Sequence, residues 1–322
     1  MSTERYWIGF DLGGTKMLAK VFDGNFEPVA KERKRTKGYE GSASGVQRIA
    51  QTIRSALAEA KIDESQVGGI GIGVPGPVDL TRGVIIEAAN LGWKDVPLKK
   101  QLEKEFKCPV EVLNDVDAGV FGEYRFGAAK DARCVVGVFP GTGIGGGCVY
   151  EGKIFHGSRS SCMEVGHVYM MPDGPFSGFA QRGVLEALAS RLAISAEAAQ
   201  ACFRGLAPYL MENAGTDLMN IRSGVLAASI AEGDVMIEKI VKKAAGHVGI
   251  AVANLVNLLC PDVVVLGGGL VEAMPDLFLG EVRAATKGAV MPGFRDFYKL
   301  VAAQLGDDAS VKGAAGWVES TT

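Results

Sequence analysis

What this chain lacks narrows its function first. Neither sign of charge dominates: 34 Lys and Arg stand against 37 Asp and Glu, a net of -3. No single-sign field is therefore available to hold nucleic acid or an anionic membrane. No apolar run reaches the roughly 18 residues of a membrane span. The polar Met1 to Tyr6 stretch runs straight into Trp7-Ile8-Gly9-Phe10, without the parts of an export leader. Cytoplasmic residence is the expectation. Six cysteines are scattered with no C-x-x-C pair, which points to reduced thiols serving mostly as core filler. No G-x-x-x-x-G-K-[ST] run occurs either, so any nucleotide site is not of the Walker type.

Glycine, by contrast, is abundant at 44 of 322 residues, and much of it follows strand-like runs, where backbone must approach something closely. Strands and helices alternate along the chain, the pattern of an α/β protein. Tyr6 to Phe10 and Met17 to Phe22 read as a hairpin, Val46 to Ala60 as helix and Gly69 to Val74 as strand. Lys99 to Phe106 reads as helix, Val110 to Leu113 as strand, and about Val116 to Phe126 as helix. Arg133 to Phe139 and Gly146 to Tyr150 repeat the opening theme of strand, Gly-rich turn and strand. The second half is more helical, over Gly183 to Ala201, Leu206 to Asn213 and Val235 to Leu259, before the strand Val263 to Leu266. A last helix spans Ser310 to Val318 with Ser310 as its expected N-cap. The weak internal repeat suggests two similar domains, expected at 1–118 with about 302–322 and at 119–301. The basic run Lys31 to Lys37 reads as a solvated strand edge.

Several of these positions carry chemistry. Asp11 ends a strand, and Gly13, Gly14, Thr15 and Lys16 offer N–H groups, a hydroxyl and a cation in one tight turn suited to phosphate oxygens. Gly141 to Gly147 holds five glycines and Thr142, more than a purely structural turn requires. Gly267, Gly268 and Gly269 form a third Gly turn after Val263 to Leu266, where an adenosine has room to lie on bare backbone. Asn114-Asp115 stands where a strand meets a helix, a position that suits an N-cap as well as a catalytic carboxylate. Glu164-Val165-Gly166-His167 pairs a carboxylate and an imidazole around a flexible glycine, groups suited to sugar hydroxyls.

With these residues in place, the chain resembles the ROK sugar kinases of the actin and hexokinase-like superfamily over nearly its whole length. The matching segments are Asp11 to Lys16, Gly71 to Asp79, Asn90-Leu91-Gly92-Trp93, Leu113-Asn114-Asp115, Gly141 to Gly147, Glu164 to His167, Leu185-Glu186 and Leu266 to Gly269. The resemblance implies a two-domain α/β fold of the actin/hexokinase-like (ribonuclease H-like) kind, with ATP and sugar in a cleft between the domains. It implies that Asp115 is the base, and that Asn90, Asn114, Asp115, Glu164, His167 and Glu186 bind the sugar. Gly13, Gly14, Thr15, Lys16, Thr142 and Gly143 would hold the phosphates of ATP, Gly268 and Gly269 the adenosine, and Asp11 the Mg²⁺, mainly through water. Glucose is favoured by the Asn90 to Trp93 segment; N-acetylmannosamine, N-acetylglucosamine, allose and fructose stay open, as does polyphosphate as donor. The expected partners are hexose, ATP and a second copy of the chain in a homodimer, with neither nucleic acid nor membrane. A non-catalytic sugar sensor is the alternative from a different class.

One part of the family pattern is missing. Where relatives carry C-x-C-G-x-x-G-C, whose three thiolates join the E-x-G-H histidine around zinc, this chain has Ser177, Phe179 and Val184. None is a thiolate, so His167 alone remains of four ligands and no zinc site is expected. The loop from about Met170 to Gly183 must then be ordered otherwise, with burial of Phe176 and Phe179 as the expected means. Protein purified without chelator should carry far less than stoichiometric zinc by elemental analysis; a tightly held zinc on each chain would refute this expectation.

Overall fold

The alternation within the first strand sets the architecture of the N-terminal half. The computed structural model describes residues 5–158 and 160–322. In β1 (Tyr6–Leu12) the side chains of Ile8, Phe10 and Leu12 enter one core, while those of Trp7 and Asp11 and the bare Cα of Gly9 face the other way. The hairpin continues through β2 (Lys16–Phe22) to β3 (Pro28–Arg35). Then come α1 (Ser42–Ala60), β4 (Val67–Val74), β5 (Val78–Asp79), β6 (Val84–Ala88), β7 (Trp93–Val96), α2 (Leu98–Phe106), β8 (Val110–Asn114) and α3 (Asp115–Phe126). The main sheet has the order β3-β2-β1-β4-β8, with β5-β6-β7 as a small sheet of its own. Both partners of β4, β1 and β8, run parallel to it, and all eight β4 residues are buried, as a strand covered on both faces requires. The basic strand β3 lies at the sheet edge, where solvated cations discourage further pairing.

A second sheet, ordered β11-β10-β9-β12-β13, follows the same plan. Its strands are β9 (Cys134–Pro140), β10 (Ile144–Tyr150), β11 (Lys153–Ile154), β12 (Val263–Leu266) and β13 (Lys299–Ala302). The helices after β11 are α4 (Leu185–Ala189), α5 (Arg191–Phe203), α6 (Pro208–Ala214), α7 (Ser223–Ala231), α8 (Val235–Leu259), α9 (Gly269–Ala273), α10 (Pro275–Ala289) and α11 (Ala309–Thr321). Buried Ile237, Ile240, Val241, Ala244, Ala245 and Val248 give α8 its helical stripe. The chain divides into two compact units: residues up to Asp131 with Gly147–Cys162 and Asp307–Thr322, and Ala132–Gly146 with Met163–Gly306. All six cysteines are free; Cys134, Cys148 and Cys202 are buried, and burial pushes the Cys108 thiol up to about 11. Among the described residues, no helix is long and apolar enough to cross a membrane.

Four expectations are corrected. The helix expected over Gly183 to Ala201 is two helices, because Ser190 is extended and its side chain caps α5 by accepting from the Ala193 N–H. The last helix begins at Ala309, so Ser310 lies inside it and its hydroxyl donates to Asp11 instead of capping. The second glycine turn is shorter than expected: Gly141 N–H donates to the Gly143 carbonyl, and β10 already starts at Ile144. Its later glycines serve close packing, since a Cβ on Gly146 would fall 2.3 Å from Val165. Finally, Phe176 and Phe179 are 68% and 66% exposed, so they do not order the loop around them. Backbone hydrogen bonds do that, from Met170 and Met171 N–H to Gly183 O, from Gly183 N–H to Pro175 O and from Ser177 N–H to Gln181 O.

Helix α11 lies on β1 and β4 with no side-chain layer between at two points. A Cβ on Gly9 would sit 1.9 Å from the Val311 carbonyl oxygen, and one on Gly71 would sit 1.8 Å from that of Ala314. Gly71→Ala is therefore expected to destabilise the chain by about 3 kcal/mol or more. Gly24→Ala, with nothing within 4 Å of the added carbon, should change stability by no more than about 0.5 kcal/mol. Denaturant melts of the two variants check this; equal stabilities would show that α11 moves aside without cost.

Candidate functional site

In the first unit, the hairpin turn after β1 is held by a residue not singled out from the sequence. Buried Thr36 donates its hydroxyl to Gly13 O at 2.7 Å, and its N–H donates to Thr15 O at 3.0 Å. The turn Gly13-Gly14-Thr15-Lys16 is thereby fixed, with Thr15 and Lys16 left exposed. Asn90 stands against it: a Cβ on Gly14 would lie 3.0 Å from Asn90 Nδ2. Gly14, Thr15, Lys16, Asn90, Leu91 and Arg35 line a common cavity of about 630 Å³.

Asp11 and Asp115 are placed on either side of Gly73. Asp11 pairs in register with Gly73, and Ser310 Oγ donates to Asp11 Oδ1 at 3.3 Å. A Cβ on Gly73 would be 2.5 Å from Ser310 Oγ and 3.3 Å from Asp115 Cα, so only glycine lets these groups come this close. Asn114 is the N-cap of α3: its Oδ1 accepts from Val116 N–H at 2.9 Å and Asp117 N–H at 3.2 Å. Its Nδ2 donates to Gly76 O at 3.2 Å, which ties α3 to the Gly71 to Asp79 segment. Asn114 thus spends its oxygen on the helix and one N–H on the Gly76 carbonyl. Asp115 heads the helix, half-buried, and its Oδ1 accepts from Val116 N–H at 3.0 Å.

In the second unit, Glu186 joins two of the expected groups. Its Oε2 accepts from Ile144 N–H at 3.0 Å, and a Cβ on Gly143 would fall 2.3 Å from the same oxygen. One carboxylate thereby braces the Thr142-Gly143 turn. Exposed Glu164 precedes a short turn in which His167 N–H donates to Glu164 O at 3.0 Å. His167 Nδ1 lies 2.6 Å from Gln181 Oε1, a contact that fixes the orientation of the ring. Phe179 meets the imidazole edge-on at 5.3 Å, and Ser177 and Val184 offer no metal ligand. Gly268, at φ 83°, and Gly269 open α9, with Ser223 beside Gly269. Sequence reasoning missed Thr36, Gln181 and Ser310, whose roles depend on partners distant in the chain. The spacing of Gln181 within the altered cysteine motif was the one available signal.

The Asp11 carboxyl is held above the usual carboxylate range, chiefly by desolvation; the Ser310 hydrogen bond opposes this, Asp307 adds to it and Arg33 opposes it. A desolvated carboxylate with a second acid nearby fits a divalent cation, which supplies the missing positive charge. No group of three or more acidic, His or Cys ligands occurs among the described residues. A cation here would therefore complete its shell with water and ligand oxygens.

The geometry defines an α/β protein with paired glycine turns at strand ends. The chain belongs to the ROK family, whose sequence profile it matches over residues 7–321. A glucokinase of Halalkalibacterium halodurans is 33% identical, the similarity covering 98% of this chain and 95% of that protein. A ROK family glucokinase from Streptomyces griseus, solved in complex with glucose and AMPPNP, superposes with a TM-score of 0.84 at 30% identity, covering 98% and 99% of the two chains. The ROK hexokinase from Thermus thermophilus gives 0.82 at 33% identity, with 98% and 99% covered. The fold is accordingly the actin/hexokinase-like one.

Because the folded state raises the Asp11 pKa, its ionisation opposes folding. The sign follows directly: stability associated with this group is fully present below the unfolded value of about 3.9 and is lost as pH rises through the folded value. Asp11→Asn should therefore melt above wild type at neutral pH, with the gain shrinking towards zero near pH 4. Thermal melts from pH 4 to 8 check it; a variant less stable at every pH would show that the carboxylate holds the fold together.

Proposed function

We propose that the chain is an ATP-dependent hexose kinase, with glucose as its preferred acceptor and glucose 6-phosphate as product. The observation that carries this is the division of labour at the start of α3. Asn114 is the N-cap and accepts from two N–H groups of the first turn, so the helix does not need a second acid at the next position as its cap, although Asp115 Oδ1 also accepts from Val116 N–H. Similarity to the glucokinases above supports the substrate assignment.

In this mechanism Asp115 takes the proton of the sugar hydroxyl as its oxygen bonds to the γ-phosphorus and the β–γ bridging oxygen departs with ADP. Gly13, Gly14, Thr15, Lys16, Thr142 and Gly143 orient the phosphates through N–H, hydroxyl and ammonium donors. Gly268 and Gly269 give the adenosine bare backbone to lie against. Asn90, Asn114, Glu164 and Glu186 hold sugar hydroxyls, and His167, its ring fixed by Gln181, hydrogen-bonds another. Asp11 would hold Mg²⁺, which when bound neutralises phosphate charge.

Asp115→Asn should lower kcat by about 10²- to 10⁴-fold while hexose affinity is largely kept. Coupled ADP-release assays over a panel of hexoses, with and without sugar, test both activity and acceptor. Near-wild-type turnover in the variant would place the base elsewhere, and ATP turnover indifferent to hexose would defeat the kinase assignment.

A further inference from the structure

The second glycine turn has a neighbour for which the proposed chemistry, as given, has no use. Arg191 opens α5 directly after the Ser190 break, and its backbone N–H donates to Gly141 O at 2.8 Å. Its side chain returns to the same turn: Nη2 donates to Thr142 Oγ1 at 3.0 Å, and Nη1 donates to Ile221 O at 3.3 Å. Both acceptors are neutral. A guanidinium has five N–H donors in a planar fork, so most of this one's capacity is not used by these two bonds.

The nearby acids do not neutralise it. Glu186 is committed to Ile144 N–H, and Glu197 pairs with Lys243 at 3.0 Å. Among the described residues, no carboxylate forms an ion pair with Arg191. Burial lowers its pKa, and the charge of a second cation, Arg222, lowers it further. Arg222 directs its own Nε to Met219 O at 3.3 Å, another neutral acceptor. It also immediately precedes α7, whose first turn contains no acidic residue and whose Ser223 lies beside Gly269. Two guanidiniums, a helix N-terminus and a glycine turn thus share one neighbourhood, and among the described residues Arg191 has no carboxylate partner. Such an arrangement is unfavourable in isolation and becomes favourable once an anion of two or more charges enters.

We propose that Arg191, supported by Arg222, is a phosphate-contacting residue of the donor site and binds the phosphoanhydride chain of a nucleoside triphosphate next to Thr142. This rests on the kinase assignment and deepens it. The shared chemistry, a chain of phosphates, is also offered by inorganic polyphosphate, and the proposal commits to the nucleotide. The bonds to Thr142 and Ile221 aim the fork, while the remaining N–H groups meet phosphate oxygens.

Titration calorimetry on the full chain, with Mg²⁺ present, tests this using a non-hydrolysable ATP analogue, tripolyphosphate and adenosine. Arg191→Met should weaken the ATP analogue roughly 10-fold or more, the scale of a lost charged hydrogen bond, and leave adenosine and glucose affinity unchanged. Arg191→Lys, which keeps the charge and loses the fork, should fall between. Equal losses for adenosine and the analogue would reduce Arg191 to a brace of the turn and overturn the proposal, as would unchanged affinity for the analogue or a loss confined to tripolyphosphate. If Arg191→Met melts before it can be titrated, exposed Arg222→Met carries the test: a loss of about 2- to 5-fold restricted to the phosphate-bearing nucleotide is expected, and wild-type affinity refutes it. Hexose-dependent ADP release by the wild type reads the kinase assignment separately.

Discussion

The bare contact between α11 and the first sheet is the constraint on which the N-terminal unit depends. Because Gly9 and Gly71 have no side chains, the helix backbone rests against strand backbone, and the first residues of α11 are carried to the end of β1. There Ser310 meets Asp11 and Asp308 meets Lys20 at 2.6 Å. A side-chain layer of ordinary thickness would hold the helix several ångströms away and leave the desolvated Asp11 carboxyl without its hydroxyl donor. Gly313, facing the Ala118 carbonyl, fixes α3 against α11 by the same means, and α3 is the helix that Asp115 heads. The spacing of three glycines therefore governs the placement of two carboxylates.

Burial and hydrogen bonding divide roles that residue type alone leaves mixed. Asn114 and Asp115 are both good capping residues, and adjacent in sequence they are interchangeable candidates. Folding separates them, because Asn114 has the extended backbone, at φ -63° and ψ 144°, from which its side chain reaches the N–H groups of both Val116 and Asp117, while Asp115 lies inside the helix and its Oδ1 meets that of Val116. Glu186 has a fixed role of a similar kind: its Oε2 is committed to Ile144 N–H. Each brace of this kind removes freedom from a polar group before any substrate arrives.

Local rules made most of the scaffold legible. Val235–Leu259 and Val263–Leu266 have the bounds that their apolar periodicity predicts, because nothing distant competes with that pattern. What escaped were residues whose partners lie far away. Ser310 looks like a cap, and becomes a partner for Asp11 only once α11 lies on the sheet. Ser190 sits in a run of good helix formers, and its break is imposed where Arg191 N–H binds Gly141 O. Phe176 and Phe179 have the residue type of core, yet their loop is a ladder of backbone hydrogen bonds that leaves both rings outside. The candidate site was legible as motifs; its braces, Thr36, Gln181 and Ser310, were not, since each is defined by a contact.

The bond between Ser310 and Asp11 spans 299 positions of sequence. A ribosome adding about 5–20 residues per second makes β1 roughly 15–60 s before the helix that must cover it. During that interval the Trp7, Leu18 and Phe22 face of the sheet has no lid, and Asp11 lacks its hydroxyl donor. The nascent chain therefore carries an uncovered apolar face at the place where helix backbone later rests on strand backbone.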